Sequence, residues 1–278
     1  MNFFEKIIHS LEGTMTTPTN YGWFHLMFIA IILVGTVLIC KYFKNCSENT
    51  FNIIALVAWV IAILLEIYKQ IEYTFEYSDG VVKWDYQFYA FPFQLCSSQL
   101  YILPFVFLLK DGKIRDAMIS YLMTFSFFGG LVVFIYPNDV FVSTIGINIQ
   151  TMIHHGLQIL LGVFFFVRYK DRIDLKFYIK GIYVFIVMLF TALLMNIIVR
   201  NILVNVGNDE TFNMFYIGPY FECTLPLLSI VYSKVPYICF FLIYMLGFIL
   251  ISYIIYIAET NIYKLVLKIK DKHEKQEA

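Results

Sequence analysis

Charge is scarce in this chain. Its 278 residues hold 20 Lys and Arg against 20 Asp and Glu, so 14% are charged and the formal net charge is zero. A soluble domain carries about 25% charged residues, and a chain without basic surplus has no electrostatic footprint for nucleic acid. Five cysteines, an odd number with no C-x-x-C pair, exclude a disulfide framework. No Walker-type or dinucleotide-binding glycine motif occurs, and neither do the receptor-type D-R-Y and N-P-x-x-Y signatures. The last apolar window lacks the Lys that a retinal Schiff base needs. What is abundant is apolar: 60% of residues are hydrophobic and 19% aromatic. These figures identify an integral membrane protein.

A membrane helix takes about 20 apolar residues at 1.5 Å each. Seven windows meet that length: Trp23 to Cys40, Phe51 to Tyr68, Phe88 to Leu109, Ala117 to Tyr136, Asn148 to Val167, Phe177 to Val199, and Pro236 to Ala258. Cytoplasmic loops are enriched in Lys and Arg. Fifteen of the 20 fall in one alternating set of connections (41–50, 110–116, 168–180 and the tail from Lys264), and five in the other. The sequence therefore predicts an all-α, polytopic seven-transmembrane-helix bundle with its N-terminus out and its C-terminus in. Residues 1–22 form an N-terminal arm, 23–260 the membrane domain and 261–278 a charged cytoplasmic tail. Glu5, Glu12 and a missing small-residue cleavage pattern identify the first window as a retained helix, distinct from a signal peptide. The segment 211–235 is apolar and aromatic but broken by Gly218, Pro219 and Pro226. It reads as an interfacial or re-entrant element on the outer side, either a lid or an amphipathic surface loop.

Polar groups inside spans are expensive and each is a functional-site hypothesis. On this topology His25, Glu66, Cys96 with Gln94, Ser97, Ser98 and Gln99, then His154, His155, Asn196 and Arg200 all fall in the outer half of the bilayer. One layer drawn from so many spans predicts a partly hydrated cavity opening outward. Thr151, His154, His155 and Gln158 make one stripe on the fifth helix. Read as helix, the third window puts Pro92, Cys96 and Gln99 on one face and Gln94, Ser98 and Tyr101 on the next. Pro104 removes the hydrogen bond to the Leu100 carbonyl and predicts a kink. Gly129 and Gly130 allow a close helix contact. Glu66 and Arg200 end their helices on one side and read as a structural ion pair.

Cys96 and the histidine pair at similar depth suggest a nucleophile and base. A thiol buried among apolar groups is inert unless a neighbouring imidazole favours the thiolate, which then attacks an acyl ester to give a thioester. Release to an alcohol makes a transacylase, and release to water a lipase; a small buried hydrophobe is the plain alternative for Cys96. Gln94 and Gln99 are candidate oxyanion donors, and Gln158, Asn196 and Glu66 complete the substrate-binding set. No metal or cofactor is required. A metal-dependent hydrolase built from His25, His154, His155 and Glu66 is a lesser alternative, because adjacent histidines suit one zinc ion poorly. A non-enzymatic carrier or lipid- or solute-binding protein would use the same polar layer.

The motifs F-P-F-Q-L-C-S-S-Q (Phe91–Gln99), H-H-G (His154–Gly156), M-N around Asn196, N-M-F-Y (Asn213–Tyr216) and G-P (Gly218, Pro219) resemble those of YwaF-like bacterial integral membrane proteins, distant relatives of the eukaryotic transmembrane protein 164 acyltransferases. The resemblance runs from about the second span to the last. It implies a seven-helix fold in a bacterial plasma membrane and Cys/His acyl transfer between membrane phospholipids. In the eukaryotic branch the cysteine directly follows a proline, the position held here by Phe93; Cys96 lies three residues further on.

Overall fold

The computed structural model describes residues 2–138 and 140–277, with side chains described as far as residue 265. A short amphipathic helix, α1 (Phe3–Leu11), opens the chain with an Asn2–Glu5 capping box. The long helices α2 (Trp23–Tyr42) and α3 (Glu48–Glu72) follow; Ser47 caps the second through its hydroxyl. An antiparallel hairpin, β1 (Phe75–Ser78) and β2 (Val81–Trp84), turns at Asp79 and Gly80, both at positive φ. Then come α4 (Gln99–Leu108), α5 (Lys113–Tyr121), α6 (Phe127–Ile135), α7 (Ile145–Tyr169), α8 (Leu175–Asn205), the short α9 (Leu228–Tyr232) and α10 (Tyr237–Glu277).

Among the described residues six helices are long and apolar enough to cross a membrane: α2, α3, the joined α5–α6 rod, α7, α8 and α10. The third apolar window is not a seventh. Only Cys96–Leu108 of it is helical, and its first half is a 3₁₀ turn (Phe88–Ala90) followed by non-helical backbone. Pro92 is the physical reason. Its ring forces the preceding residue out of the helical region, and Phe91 sits at φ −51°, ψ 135°. The periodicity of an apolar run is indifferent to such a break, so the expected faces that grouped Pro92 with Cys96, and Gln94 with Ser98, do not exist.

α5 and α6 are joined by a π-helical turn, Leu122–Ser126, whose five side chains are all buried. The Thr124 hydroxyl donates to the Ser120 carbonyl at 2.8 Å, the kind of local bond that competes with the helical ladder. Aromatic rings from three elements stack here into a column. Tyr121–Phe125, Phe125–Phe185, Phe185–Phe248 and Phe248–Tyr244 have centroids 5.6, 4.5, 5.9 and 4.5 Å apart, all within 21° of parallel. The column ties the π-turn to α8 and α10, and each pair adds about 0.5–1.5 kcal/mol beyond area burial.

The two sets of connections gather at opposite ends. At one end Glu48 pairs with Arg115 and, at 3.5 Å, with Arg168; Arg172 bridges Asp111 and Asp116, and Lys180 also reaches Asp116 at 2.7 Å. At the other end Glu12 accepts from the Tyr77 N–H, Met15 donates its N–H to the Ser143 carbonyl, and Glu210 faces the Phe88 N–H. Gly130 lets α6 touch α7: a Cβ there would lie 2.6 Å from the His155 carbonyl oxygen. Gly129 has ordinary clearance.

Candidate functional site

The residues around the start of α4, Ser97, Ser98 and Gln99, are buried, and side chains from α7 reach the main chain there. Two donors from α7 converge on the Cys96 carbonyl oxygen: His154 Nε2 at 3.0 Å and Gln158 Nε2 at 2.9 Å. A carbonyl only accepts, so the His154 proton sits on Nε2. Gln158 also donates to the Ser126 hydroxyl in the π-turn at 3.0 Å. The Gln99 amide lies against His154, its Nε2 3.4 Å from that residue's carbonyl oxygen. His154, Gln158 and Gln99 are all buried, and the amide oxygens of both glutamines have no partner among the described residues.

His155, half-buried on the same helix, is held differently. Its Nδ1 is 2.7 Å from the Thr151 carbonyl, which places the proton on Nδ1 and leaves the Nε2 lone pair available. The imidazole centroids of His154 and His155 are 5.4 Å apart at 72°. Cys96 therefore meets α7 through its main chain, with His154 and Gln158 at its carbonyl.

Gln94 and Asn196 do something else. Asn196, fully buried on α8, donates to the Met214 carbonyl and accepts from the Met214 N–H at 2.9 and 2.6 Å. Gln94 makes the same pair of bonds one residue either side, to the Asn213 carbonyl (3.1 Å) and from the Phe215 N–H (2.7 Å). Both clamp a 3₁₀ turn, Met214–Tyr216, in which Phe215 and Tyr216 hold positive φ. The turn buries Phe212, Met214 and Phe215 against the Phe91–Phe93 segment, ring centroids of Phe93 and Phe215 being 6.0 Å apart. Asn213 Oδ1 accepts from the Gly218 N–H at 2.7 Å, and a Cβ at Gly218 would press on that oxygen at 2.9 Å. The Gln94 amide nitrogen is thus committed to the turn.

The expected Glu66–Arg200 pair is absent. Glu66 pairs with Lys69 at 2.9 Å and accepts from Gln70 at 2.8 Å, whereas Arg200 reaches Asp209 at 3.4 Å. A partner one turn along the same helix costs less ordering than one on another helix, and Lys69 stands three residues from Glu66. Lys69 itself lies one residue past the end of the second apolar window, on the same helix α3 as Glu66. His25 is elsewhere, accepting the Tyr21 N–H at 3.1 Å, its ring against Phe134 and Phe141. Among the described residues no three His, Cys, Asp or Glu side chains are grouped as a metal would require. Pro104 stays inside α4, and the Leu100 carbonyl it would orphan accepts from Trp59 Nε1 at 2.9 Å.

The TMEM164 family model matches residues 16–251. No significant match was found among curated proteins or among solved structures. The match covers all six candidate spans in whole or in greater part, the α4 segment and the clamped turn, and the chain belongs to the TMEM164 family.

Proposed function

We propose that this multi-pass membrane protein is a lipid acyltransferase or transacylase in which Cys96 is the nucleophile and His155 the base. The observation that supports this reading is the seating of Cys96 on α7: its carbonyl accepts from His154, whose sequence neighbour His155 keeps its Nε2 lone pair free by bonding Thr151 through Nδ1. His155 Nε2 takes the thiol proton; the thiolate adds to an acyl ester carbonyl, forming a C–S bond. Collapse breaks the ester C–O bond, and the leaving lyso-alkoxide takes the proton from His155. A second alcohol, deprotonated by His155, then attacks the thioester and releases the Cys96 thiol with its proton. The N–H groups opening the turn, ahead of the first internal bonds made by Ser97 and Ser98, supply oxyanion donors. His154 and Gln158 hold the main chain of Cys96 in place.

In the same reading the chain crosses the bilayer a seventh time between Phe88 and Leu108, first irregular and then helical, with the cation-rich end in the cytoplasm. Non-helical backbone at membrane depth is tolerated where protein encloses it, as the Met214–Tyr216 turn and α7 do here. The turn acts as the lid of the site. Membrane phospholipids are the substrates.

The test is lipidomics on cells expressing wild type, Cys96→Ser, His155→Ala and His154→Ala. Wild type is expected to shift phospholipid acyl-chain composition, and Cys96→Ser and His155→Ala to lower that activity by about 100-fold or more. Acyl composition unchanged by the wild-type protein, or changed equally by Cys96→Ser, overturns the reading. The latter outcome is the one a lipid or solute carrier would give.

A further inference from the structure

The cation-rich end of the bundle holds a cavity of about 490 Å³, between the end of α4 and the ends of α3 and α7. That volume is in the range of small-ligand sites, about 300–1,000 Å³. Four cations line it, Lys110, Arg115, Arg168 and Arg172, against two anions, Glu48 and Asp111. Arg115 is buried and fully committed: it donates to the Val106 carbonyl at 2.7 Å and to Asn52 at 2.7 Å, and pairs with Glu48. Arg172 takes both Asp111 oxygens at 2.9 and 3.0 Å. Arg168 shares Glu48 at a longer 3.5 Å, and its Nε is buried without a partner among the described residues. Lys110 is exposed at the cavity mouth. Cations thus outnumber anions four to two in the lining, and Arg168, its side chain 31% exposed, shares its Glu48 partner with Arg115. Phe107, Leu108 and Leu109 give one wall an apolar lining, with Leu108 73% exposed.

We propose that this cavity binds a phosphate-bearing anion, with Arg168 and Lys110 as its ligands. A guanidinium presents parallel N–H donors that match phosphate oxygens, and an ammonium supplies a point charge. The source is an anionic phospholipid headgroup at the bilayer edge or free phosphate. The site is distinct from Cys96 but mechanically joined to it: Arg115, the cavity floor, is bonded to Val106, and Cys96 opens the same helical segment. Filling the cavity steadies that segment from its far end.

The experiment measures binding of phosphatidylglycerol, phosphatidylcholine and inorganic phosphate to the full-length protein in detergent, by native mass spectrometry and by the shift in thermal melting. Phosphatidylglycerol is expected to bind and raise the melting temperature, and phosphatidylcholine to do neither. Lys110→Gln and Arg168→Gln are each expected to weaken phosphatidylglycerol binding about tenfold, the loss of one charge-assisted contact. Competition by inorganic phosphate assigns the recognition to the bare oxyanion; without it the headgroup in its lipid setting is the ligand. Lys110→Gln changes an exposed side chain, so its unliganded melting is expected to match wild type. Equal binding of the two lipids by wild type, or wild-type affinity in a normally melting Lys110→Gln protein, overturns the proposal.

Discussion

The carbonyl of Cys96 receives two side-chain donors, and that of Leu100 receives the indole of Trp59. Each is a main-chain acceptor that takes a side-chain donor from another helix, and at Leu100 that donor replaces the N–H that Pro104 lacks. Leaving one unpaired inside the bundle costs about 1–3 kcal/mol. Trp59→Phe is accordingly expected to lower stability by about that amount, read from thermal unfolding in detergent, with Ile61→Ala on the exposed side of α3 as the mild comparison. Asp111 gives a prediction in pH. Its hydrogen bond to Arg172 holds the Asp111 carboxyl below the usual carboxylate range despite some opposing burial. Because the folded value is depressed, the stabilisation is present above the unfolded value near 3.8 and is lost as pH falls through the folded one. Asp111→Asn is expected to flatten the melting temperature against pH below about pH 4 and to change little at neutrality, since the pair is solvent-screened. At this scale the sequence disclosed which residues matter better than what they bond. Gln94, Gln158 and Asn196 were legible as polar groups in apolar runs, but their partners are main-chain atoms, which composition does not reveal.

Elements were legible where period and length agreed. Four of the six long helices follow their apolar windows within about four residues at each end, whereas α8 runs on to Asn205 and α10 to Glu277; Gly130 does what a glycine on a packed face is expected to do. A Cβ at Gly130 meets main chain at His155, whereas one at Gly247 meets nothing within 4 Å. Gly130→Ala is expected to destabilise by about 1–3 kcal/mol through forced separation of α6 from α7, and Gly247→Ala to be neutral or slightly stabilising, both by thermal unfolding. The third window misled because hydropathy counts side chains and ignores the backbone, and one proline decided the backbone. The π-turn had no sequence signal either. The turn coincides with the local Thr124–Ser120 bond and with aromatic stacking on Phe185, which is remote in the chain and outside any local window.

For the molecule as a whole, zero net charge conceals a division between two ends. Loops around Glu48, Asp111 to Asp116 and Arg168 to Lys180 interlock through ion pairs at one, and the hairpin, the arm and the Glu210 region meet at the other. Charge counting alone had assigned these same groups to opposite sides of a bilayer. Cys40, Cys46 and Cys239 are replaced by Ser, and single cysteines are introduced at Lys44 and Asp209, both exposed. With the cation-rich end cytoplasmic, a membrane-impermeant maleimide is expected to label Asp209→Cys in intact cells and Lys44→Cys only after permeabilisation; the reverse pattern inverts the orientation.

The broken third segment also bears on how the protein is made. The donors that satisfy Cys96 belong to residues synthesised 58 and 62 positions later, and the turn that covers Gln94 comes about 120 positions later. When Phe88 to Ser98 leaves the ribosome, local bonds are available from Phe91 to Phe88, Ser97 to Gln94 and Ser98 to Leu95, but the side-chain donors to the Cys96 carbonyl are not yet made. On the proposed seventh crossing, the Cys96 carbonyl gains these donors only once α7 is in place. In that reading the third apolar window settles after the fifth and sixth, against the order of synthesis.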